Sequence, residues 1–436
     1  MNLRKALLFL ACCICAASVA SAQTEIAFWH ALSGGLKDRL DAQVQAFNAA
    51  QTDYRVIATR KGNYGETLDA GIAAFETGSA PAILMVSDVD APALSATAGL
   101  TRPLHEILTA ATPGFDDRIY INGVKAHFST AEGDLQSLPY NTSTPVLWVN
   151  RDALISFGLD PDVDLSTWEQ VGDVLGQLKA AGSACPMTTS WQTWIHLENF
   201  SAYHDLPYAS EANGFGEGQP TLMLNGPGQV AHIDALALWA REETFIYTGR
   251  RNAGGVKFRA GDCVLFTDTS AAYASITTTA EFDVAVRQLP YWAALVEAPQ
   301  NTMASGASLW VLEGQSPEAY RAVAAFLTFL SSAAIQAKWH QDTGYLPITY
   351  EATQLTRAQG YYAVNPGTDV AITQMLPDAV TDNSRGLRLG ALDQIRGIID
   401  EELEAVWAGE ADAQTALDNA KRRGDAVLRR FDRSTP

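Results

Sequence analysis

Two tryptophans beside polar residues are the side chains in this sequence best suited to hold a small molecule. Trp191 and Trp194 stand three residues apart, so on a helix they share one face with each other and with Glu198. Such a pair is more often part of a hydrophobic core. Here, however, residues 188–190 and Gln192 are all polar, which favours the wall of a wet cleft.

Two tyrosines lie in turns from which an aromatic ring can project. Tyr64 belongs to the sequence GNYG (62–65) and Tyr345 to GYLP (344–347), and glycine and proline mark turns. Each tyrosine is either a ligand contact or an ordinary surface turn residue, and the local pattern is compatible with both.

The usual sequence signatures of catalysis are missing. There is no G-x-S-x-G elbow, no phosphate-binding P-loop and no H-E-x-x-H pair. His196 and His204 flank Glu198, but their spacing does not place two imidazoles one helical turn apart, so we expect no metal site. A secreted hydrolase could use Asp88 and Glu198 as paired carboxylates, yet no base or metal accompanies them. We therefore expect neither an enzyme nor a cofactor.

Strand and helix patterns alternate around these side chains. Apolar strands are predicted at 26–29, 54–57 and 82–86, with amphipathic helices between them at 36–47 and 68–78. This alternation predicts a parallel sheet.

A second α/β unit is predicted later in the chain, with a strand at 145–149, a helix at 167–180 and a mostly helical last hundred residues. In open α/β sheets, ligands bind beyond the carboxyl ends of the strands. Tyr64, Ser87-Asp88 and Asn141–Ser143 occupy such positions.

The N-terminus has the layout of a secretory signal peptide. Arg4 and Lys5 precede an apolar stretch at 6–20, and Ala20-Ser21-Ala22 forms a cleavage site before Gln23. Cleavage removes two positive charges, which changes the formal net charge from −19 to −21. This acidic balance opposes binding to nucleic acid or to anionic membranes.

The length of the mature chain indicates its number of domains, and its two cysteines raise the question of a disulfide. Its length exceeds what one hydrophobic core usually serves, so two domains are expected. Cys185 and Cys263 remain after cleavage, in a compartment where disulfides persist. They either form a disulfide or stay buried as free thiols.

Seven stretches spread along the chain are specific enough to be compared with known families. They are KGNY (61–64), GIAAFETGSAPAIL (71–84), STPVLW (143–148), WQTWIHLENFSA (191–202), SGASLWV (305–311), WHQDTGYLPIT (339–349) and GLRLGALDQIR (386–396). On these stretches the chain resembles, from Phe28 to Phe431, the periplasmic sn-glycerol-3-phosphate-binding proteins of Ugp-type ABC importers. These proteins belong to extracytoplasmic solute-binding protein family 1, which also includes maltose-binding proteins.

The resemblance implies an α/β, two-lobe periplasmic binding protein fold with a hinge and an interlobe ligand cleft. The implied organisation is a signal peptide (1–22), the first part of lobe I (23–139), the first part of lobe II (140–289), a return segment of lobe I (290–343) and a C-terminal helical part of lobe II (344–436).

The resemblance also implies a set of ligand contacts. Positions that match the family are Tyr64, Ser143, Gly306, Tyr345 and Arg396, together with Trp191 and Trp194. Two positions depart from the family. Asp88 replaces a glutamate, which shortens the reach by one methylene, and Thr269 replaces a serine but keeps the hydroxyl.

The implied function is capture of sn-glycerol-3-phosphate in the periplasm, with glycerophosphodiesters such as glycerophosphocholine as an open alternative. The implied partners are inner-membrane permease subunits with their cytoplasmic ATPase, and the soluble form is expected to be a monomer. A third possibility keeps the fold but changes the ligand to an oligosaccharide or polyol. Arg396 and the hydroxyl donors argue against it.

Overall fold

The chain builds two sheets of unequal size, each with its own helices. The computed structural model describes residues 23–377 and 379–434. The expected signal peptide at 1–22 lies outside the described residues.

The ten strands of the described residues are β1 (Thr24–His30), β2 (Tyr54–Arg60), β3 (Ile83–Ser87), β4 (Thr101–Arg102), β5 (Leu138–Ser143), β6 (Pro145–Asn150), β7 (Met187–Thr189), β8 (Leu265–Thr269), β9 (Val284–Arg287) and β10 (Ser305–Leu312). The helices are α1 (Gly34–Ala50), α2 (Tyr64–Glu76), α3 (Ala91–Ala96), α4 (Leu104–Ala111), α5 (Asn122–His127), α6 (Arg151–Ser156), α7 (Trp168–Ala180), α8 (Phe200–Tyr203), α9 (Ser210–Gly214), α10 (Pro227–Arg241), α11 (Gly254–Arg259), α12 (Tyr273–Thr279), α13 (Pro317–Ser331), α14 (Ala333–Thr343), α15 (Tyr350–Ala358), α16 (Tyr361–Val364), α17 (Val370–Thr373), α18 (Leu392–Trp407) and α19 (Ala413–Ser434). A π-helix spans Trp194–Asn199, and 3-10 turns span Asp117–Ile119 and Ser270–Ala272.

The first lobe is built on a six-stranded sheet in the order β2-β1-β3-β10-β4, with β5 also paired to β10. Strands β1, β2 and β3 are parallel, but β10 is antiparallel to its partners. The parallel arrangement that the sequence predicts is confirmed for β1, β2 and β3, whereas the antiparallel strand β10 was not predicted. Strand β5 leaves the sheet at Ser143 and β10 re-enters at the same edge, where Ser305 pairs with Ser143, so β10 must run in the opposite direction.

Helices cover both faces of the first sheet. All five residues of β3 are buried. Ile83 and Met85 pack in the core formed with α1 and α13, whereas Leu84 and Val86 pack with α2 and α3 on the other face. This double burial explains why β3 is a continuous apolar run with no polar alternation.

The second lobe is built on a four-stranded sheet in the order β7-β8-β6-β9. Leu147 and Val149 face a core that contains α7, α10, α18 and α19. Val146 and Trp148 point to the opposite face and join the core of the first lobe. Cys185 and Cys263, just before β7 and β8, are joined by a disulfide.

Three segments pass between the lobes and are tied to each other. Only Thr144 separates β5 from β6, and its hydroxyl donates to Thr302 Oγ1 on the segment between β9 and β10. Asn301, on that same segment, exchanges hydrogen bonds of 2.8 Å with the carbonyl and hydroxyl of Ser384. The lobe boundaries implied by the resemblance stay a prediction.

No single helix among the described residues is long and apolar enough to cross a membrane. One pair, α13 with α14, meets the length and composition criteria together, but it is bent by 59°.

Candidate ligand-binding site

Tyr64 is held at the start of α2 by a reciprocal cap. The Asn63 side chain accepts from the Glu66 N–H at 2.9 Å, and the Glu66 carboxylate accepts from the Asn63 N–H at 2.7 Å. These bonds satisfy two of the free N–H groups of the helix end. Burial raises the pKa of the Tyr64 phenol, and nearby Asp88 raises it further. The phenol is therefore a neutral donor at physiological pH.

Asp88 follows β3 and is fixed by its neighbours on β10. Its N–H donates to the Gly306 carbonyl at 2.8 Å. One oxygen of its carboxylate accepts from the Ser305 hydroxyl at 2.6 Å, and the residue is 8% exposed. A single carboxylate oxygen is thus engaged by the protein.

Gly306 brings β10 unusually close to β5. Its φ is +138°, and a Cβ there would lie 1.7 Å from the Asn141 carbonyl oxygen. Only glycine can take this conformation at this distance. Gly306 pairs with Thr142, next to Ser143, so three of the implied contacts, Asp88, Ser143 and Gly306, meet at one sheet edge.

Tyr345 projects from the turn that ends α14. Gly344 is left-handed with φ +80°, and the Tyr345 carbonyl accepts from His340 Nδ1 at 2.7 Å. Burial raises the pKa of the Tyr345 phenol, and the nearby Tyr64 phenol adds to the shift. The two predicted tyrosines therefore lie near each other in the structure, although they are 281 positions apart in the sequence.

Thr269 lies across the lobe junction at the end of β8. It pairs with Pro145, two residues after Ser143. Its hydroxyl oxygen accepts from the Ala271 N–H at 3.2 Å, which leaves the O–H hydrogen available to donate.

Trp191 and Trp194 do not share one α-helical face. Trp191 lies just before the helical segment with φ +46°, and the residue is 38% exposed. Trp194 begins the π-helix and is 7% exposed within the second core. Asn199 fastens this π-helix, because its amide donates to the Trp194 carbonyl at 3.0 Å and accepts from the Met303 N–H at 2.9 Å.

Arg396 makes a buried ion pair with Glu198. Its Nε and Nη2 each donate to one Glu198 oxygen at 2.7 Å. The side chains are 21% and 1% exposed, so this is not the solvated surface pair that the sequence alone would also allow. Burial lowers the pKa of Arg396, but the charge and hydrogen bonds of Glu198 outweigh it and raise the pKa overall. The guanidinium stays charged and keeps Nη1 and one N–H of Nη2 uncommitted to Glu198.

The hydrolase alternative lacks a suitable pair of carboxylates. Both Glu198 oxygens are held by Arg396, and Asp88 is bonded by Ser305. His196 is bonded to His232 and Thr189. Within residues 23–377 and 379–434, no group of His, Cys, Asp and Glu could hold a metal ion.

Sequence reasoning missed a second arginine near Asp88. Arg388 and Asp88 line one small cavity together with His127 and Gln136. Arg388 Nη2 donates to the Ser129 carbonyl at 2.6 Å and to Gln136 Oε1 at 2.7 Å. Burial lowers the pKa of Arg388 to about 10, so it remains a cation. Arg388 lies in GLRLG (386–390), part of a stretch that resembles the family, but the resemblance implies no ligand contact at this position.

The chain is similar in sequence to a family of known proteins over most of its length. The family model described as bacterial extracellular solute-binding protein matches residues 42–365. The sn-glycerol-3-phosphate-binding periplasmic protein UgpB of Escherichia coli (strain K12) is 45% identical over 417 residues, which are 95% of each chain. UgpB of Salmonella typhimurium (strain LT2) is 44% identical over 436 residues, which cover 100% of this chain and 99% of the relative.

Solved structures share the fold. The crystal structure of UgpB from Mycobacterium tuberculosis in complex with glycerophosphocholine has a TM-score of 0.75 at 22% identity, and the match covers 94% of this chain and 99% of that one. The cyclic alpha-maltosyl-1,6-maltose binding protein from Arthrobacter globiformis has a TM-score of 0.78 at 21% identity, with 94% and 100% covered. The predicted two-lobe fold is confirmed, and so is the family resemblance. The chain belongs to the bacterial extracellular solute-binding protein family.

Proposed function

We propose that this protein is the substrate-binding component of an ABC importer and that it captures sn-glycerol-3-phosphate. The UgpB relatives, whose name gives this ligand, are similar to the chain over nearly its whole length. Glycerophosphocholine, which is bound in the Mycobacterium tuberculosis structure, is a second candidate ligand. The function is binding and delivery, without chemical change of the ligand.

The observation that carries the proposal is the buried guanidinium of Arg396. A phosphate monoester has a charge of about −1.5 to −2 near neutral pH and must enter an acidic protein. The N–H groups that Glu198 leaves uncommitted on Nη1 and Nη2 form a planar edge that fits two phosphate oxygens. An oligosaccharide would have no use for this charge.

Neutral donors complete the proposed phosphate site. The hydroxyls of Ser143 and Thr269, the phenols of Tyr64 and Tyr345 and the N–H of Gly306 satisfy oxygens without a further charge to desolvate. The upward pKa shifts of both phenols keep them protonated.

Asp88 defines the other end of the ligand. A carboxylate would repel phosphate at contact distance, so we assign Asp88 to the glycerol hydroxyls, which it can accept from. Trp191, whose ring is exposed, covers the carbon skeleton, and it could hold a choline group by a cation–π contact.

The proposal includes the setting of the protein. Residues 1–22 direct export to the periplasm, where the mature chain acts as a soluble monomer. Its partners are the inner-membrane permease subunits and their cytoplasmic ATPase. No cofactor or nucleic acid takes part.

Replacement of Arg396 tests the proposal. In the proposed complex, Arg396 and the phosphate form a buried charge pair, and truncating one partner of such a pair costs about 2–5 kcal/mol of binding free energy. Arg396→Ala should therefore weaken the binding of sn-glycerol-3-phosphate about 30-fold to several thousand-fold. Arg396→Lys should recover only part of this loss, because a point charge cannot bind two oxygens as a planar fork does. Isothermal calorimetry on folded variants measures both.

The matched control is Arg250→Ala. Arg250 also donates two hydrogen bonds to a glutamate of α18, Glu404, at 2.8 and 2.6 Å, but these side chains are 41% and 33% exposed. This variant should bind like the parent. If Arg396→Ala binds within about threefold of the parent, less than 1 kcal/mol, the phosphate is held elsewhere.

A further inference from the structure

Glu198 and Arg396 form a two-pronged, buried ion pair. Glu198 offers both carboxylate oxygens at 2.7 Å, and its side chain is 1% exposed. The resemblance gives Glu198 no role in ligand binding, and the carboxylate is too buried to reach a ligand itself.

The segment that carries Glu198 is fixed to the helix that carries Arg396. Asp400, one turn after Arg396 on α18, accepts from the Thr193 hydroxyl at 2.7 Å and from the Gln192 amide at 3.1 Å. Trp407, at the end of α18, donates to the Gln192 side chain at 2.7 Å. The residues just before the π-helix are therefore fixed to the part of α18 that follows Arg396, on one side of the ion pair.

We propose that Glu198 is the positioning residue for phosphate recognition. It occupies the Nε–Nη2 edge of Arg396 and so turns the Nη1–Nη2 edge toward the cleft. This inference rests on the proposed function, because it takes Arg396 as the phosphate contact.

The ion pair must persist when ligand binds. If phosphate drew Arg396 away, Glu198 would remain as an unpaired carboxylate at 1% exposure. Removing one partner from a buried ion pair is strongly destabilising. Glu198 is therefore a permanent support of Arg396 and not a placeholder that the ligand displaces.

Glu198→Gln separates the effects of orientation and charge. The amide keeps the shape of the side chain but turns an N–H₂ group toward one donor of Arg396, so the fork can no longer be held by two acceptors. Loss of the negative charge alone would strengthen phosphate binding. Loss of orientation would weaken it.

A double-mutant cycle tests the proposal by calorimetry with sn-glycerol-3-phosphate on the mature protein. We expect Glu198→Gln to weaken binding about 10- to 150-fold, the worth of one hydrogen bond to a charged group. We expect Glu198→Gln to have no further effect in the Arg396→Ala background, because it acts only through the guanidinium. The control is Glu404→Gln. It removes a carboxylate of α18 that accepts two hydrogen bonds from Arg250, and it should leave binding unchanged.

Each outcome decides between the inference and the proposed function. Binding by Glu198→Gln that equals or exceeds the parent, while Arg396→Ala loses affinity, overturns the positioning role. So does a loss in the double variant that is the sum of the two single losses. Parent-like binding by Arg396→Ala overturns the proposed function instead.

A second variant covers the case in which Glu198→Gln does not fold. Glu198→Asp keeps the charge and both acceptors but draws Arg396 back by one methylene. It should weaken binding less than Arg396→Ala does, and the same cycle applies to it. Full parent affinity for Glu198→Asp in that case would overturn the proposal.

Discussion

Trp191 and Trp194 have different surroundings although they are three residues apart. Trp191 is 38% exposed, whereas Trp194 is 7% exposed and packs among the residues of the second core. Replacing Trp191 should therefore affect ligand binding, whereas replacing Trp194 should affect the stability of the fold.

Alanine substitution should separate these roles. Trp191→Ala should weaken glycerophosphocholine about 3- to 30-fold, the range of a cation–π contact, and sn-glycerol-3-phosphate no more than that. Trp194→Ala should instead lower the free energy of unfolding by about 3–5 kcal/mol. Calorimetry and urea unfolding measure the two effects. Unchanged binding of both ligands by Trp191→Ala would remove this ring from the site.

Gly306 is required by the close approach of β10 to β5. Gly306→Ala should destabilise the protein by at least about 2 kcal/mol, because backbone strain of about 1–3 kcal/mol adds to the clash with the Asn141 carbonyl. The control is Gly176→Ala in α7, where a Cβ meets nothing and helix propensity predicts a gain of about 0.5–1 kcal/mol. Equal stability of the two variants in urea unfolding would contradict this account.

Sequence patterns found residue types better than residue partners. Arg396 and Glu198 were both candidate functional residues in the sequence. They are 198 residues apart, however, so no local pattern could predict their ion pair. Arg388 went unassigned for the same reason, since its partners Ser129 and Gln136 lie more than 250 residues away. The contacts carried over from the resemblance, including the departures at Asp88 and Thr269, stay predictions.

At the scale of elements, the π-helix and α10 are linked by buried neutral histidines. Trp292 Nε1 donates to His232 Nδ1 at 3.0 Å, so His232 carries its proton on Nε2 and donates to His196 Nδ1 at 3.2 Å. His196 then directs its own proton on Nε2 toward the Thr189 hydroxyl at 3.0 Å. Burial lowers the pKa of His196 to about 3 and that of His232 well below its usual value.

These histidines predict a loss of stability in mild acid. Above an unfolded pKa of about 6.5, the imidazoles are neutral in both states. As the pH falls from 6.5 toward 4, the unfolded chain takes up protons that the folded protein refuses. Each buried histidine should then cost about 2 kcal/mol of unfolding free energy at pH 5. Urea unfolding between pH 7.5 and 5 measures this loss, and constant stability over that range would contradict it.

Asp268 supplies the control for this pH dependence. Burial raises the pKa of its carboxyl to about 7, so the folded state holds a proton that the unfolded state loses above its lower pKa. The cost of burying this carboxyl therefore falls as the pH drops from 7. The free energy of unfolding rises with this change, which opposes the effect of the histidines. Asp268→Asn removes this opposing effect, and the loss of stability in acid should become steeper.

Strong local periodicity allowed several strands and helices to be predicted. The strands expected at 26–29, 54–57, 82–86 and 145–149 and the helix at 167–180 coincide with β1, β2, β3, β6 and α7. The direction of β10 and the π-helix could not be predicted, because the first depends on where the chain re-enters the sheet and the second on the side-chain bonds of Asn199.

At the scale of the whole molecule, the two lobes meet through an apolar junction and three tied segments. Val146 and Trp148 of the second sheet pack into the core of the first lobe, and Thr144, Asn301 and Ser384 link the crossing segments. The proposed contacts come from both lobes, with Tyr64 and Asp88 on the first and Arg396 on the second. A ligand that touches both lobes should favour the conformation in which they close around it.

Calorimetric titration of the mature protein with sn-glycerol-3-phosphate, glycerophosphocholine and maltose tests the central claim most directly. The account predicts saturable binding of sn-glycerol-3-phosphate with one site per chain, and glycerophosphocholine in competition for that site. It predicts no binding of maltose, which offers no anion to Arg396. Saturable binding of maltose with no heat from either glycerol phosphate would contradict the account.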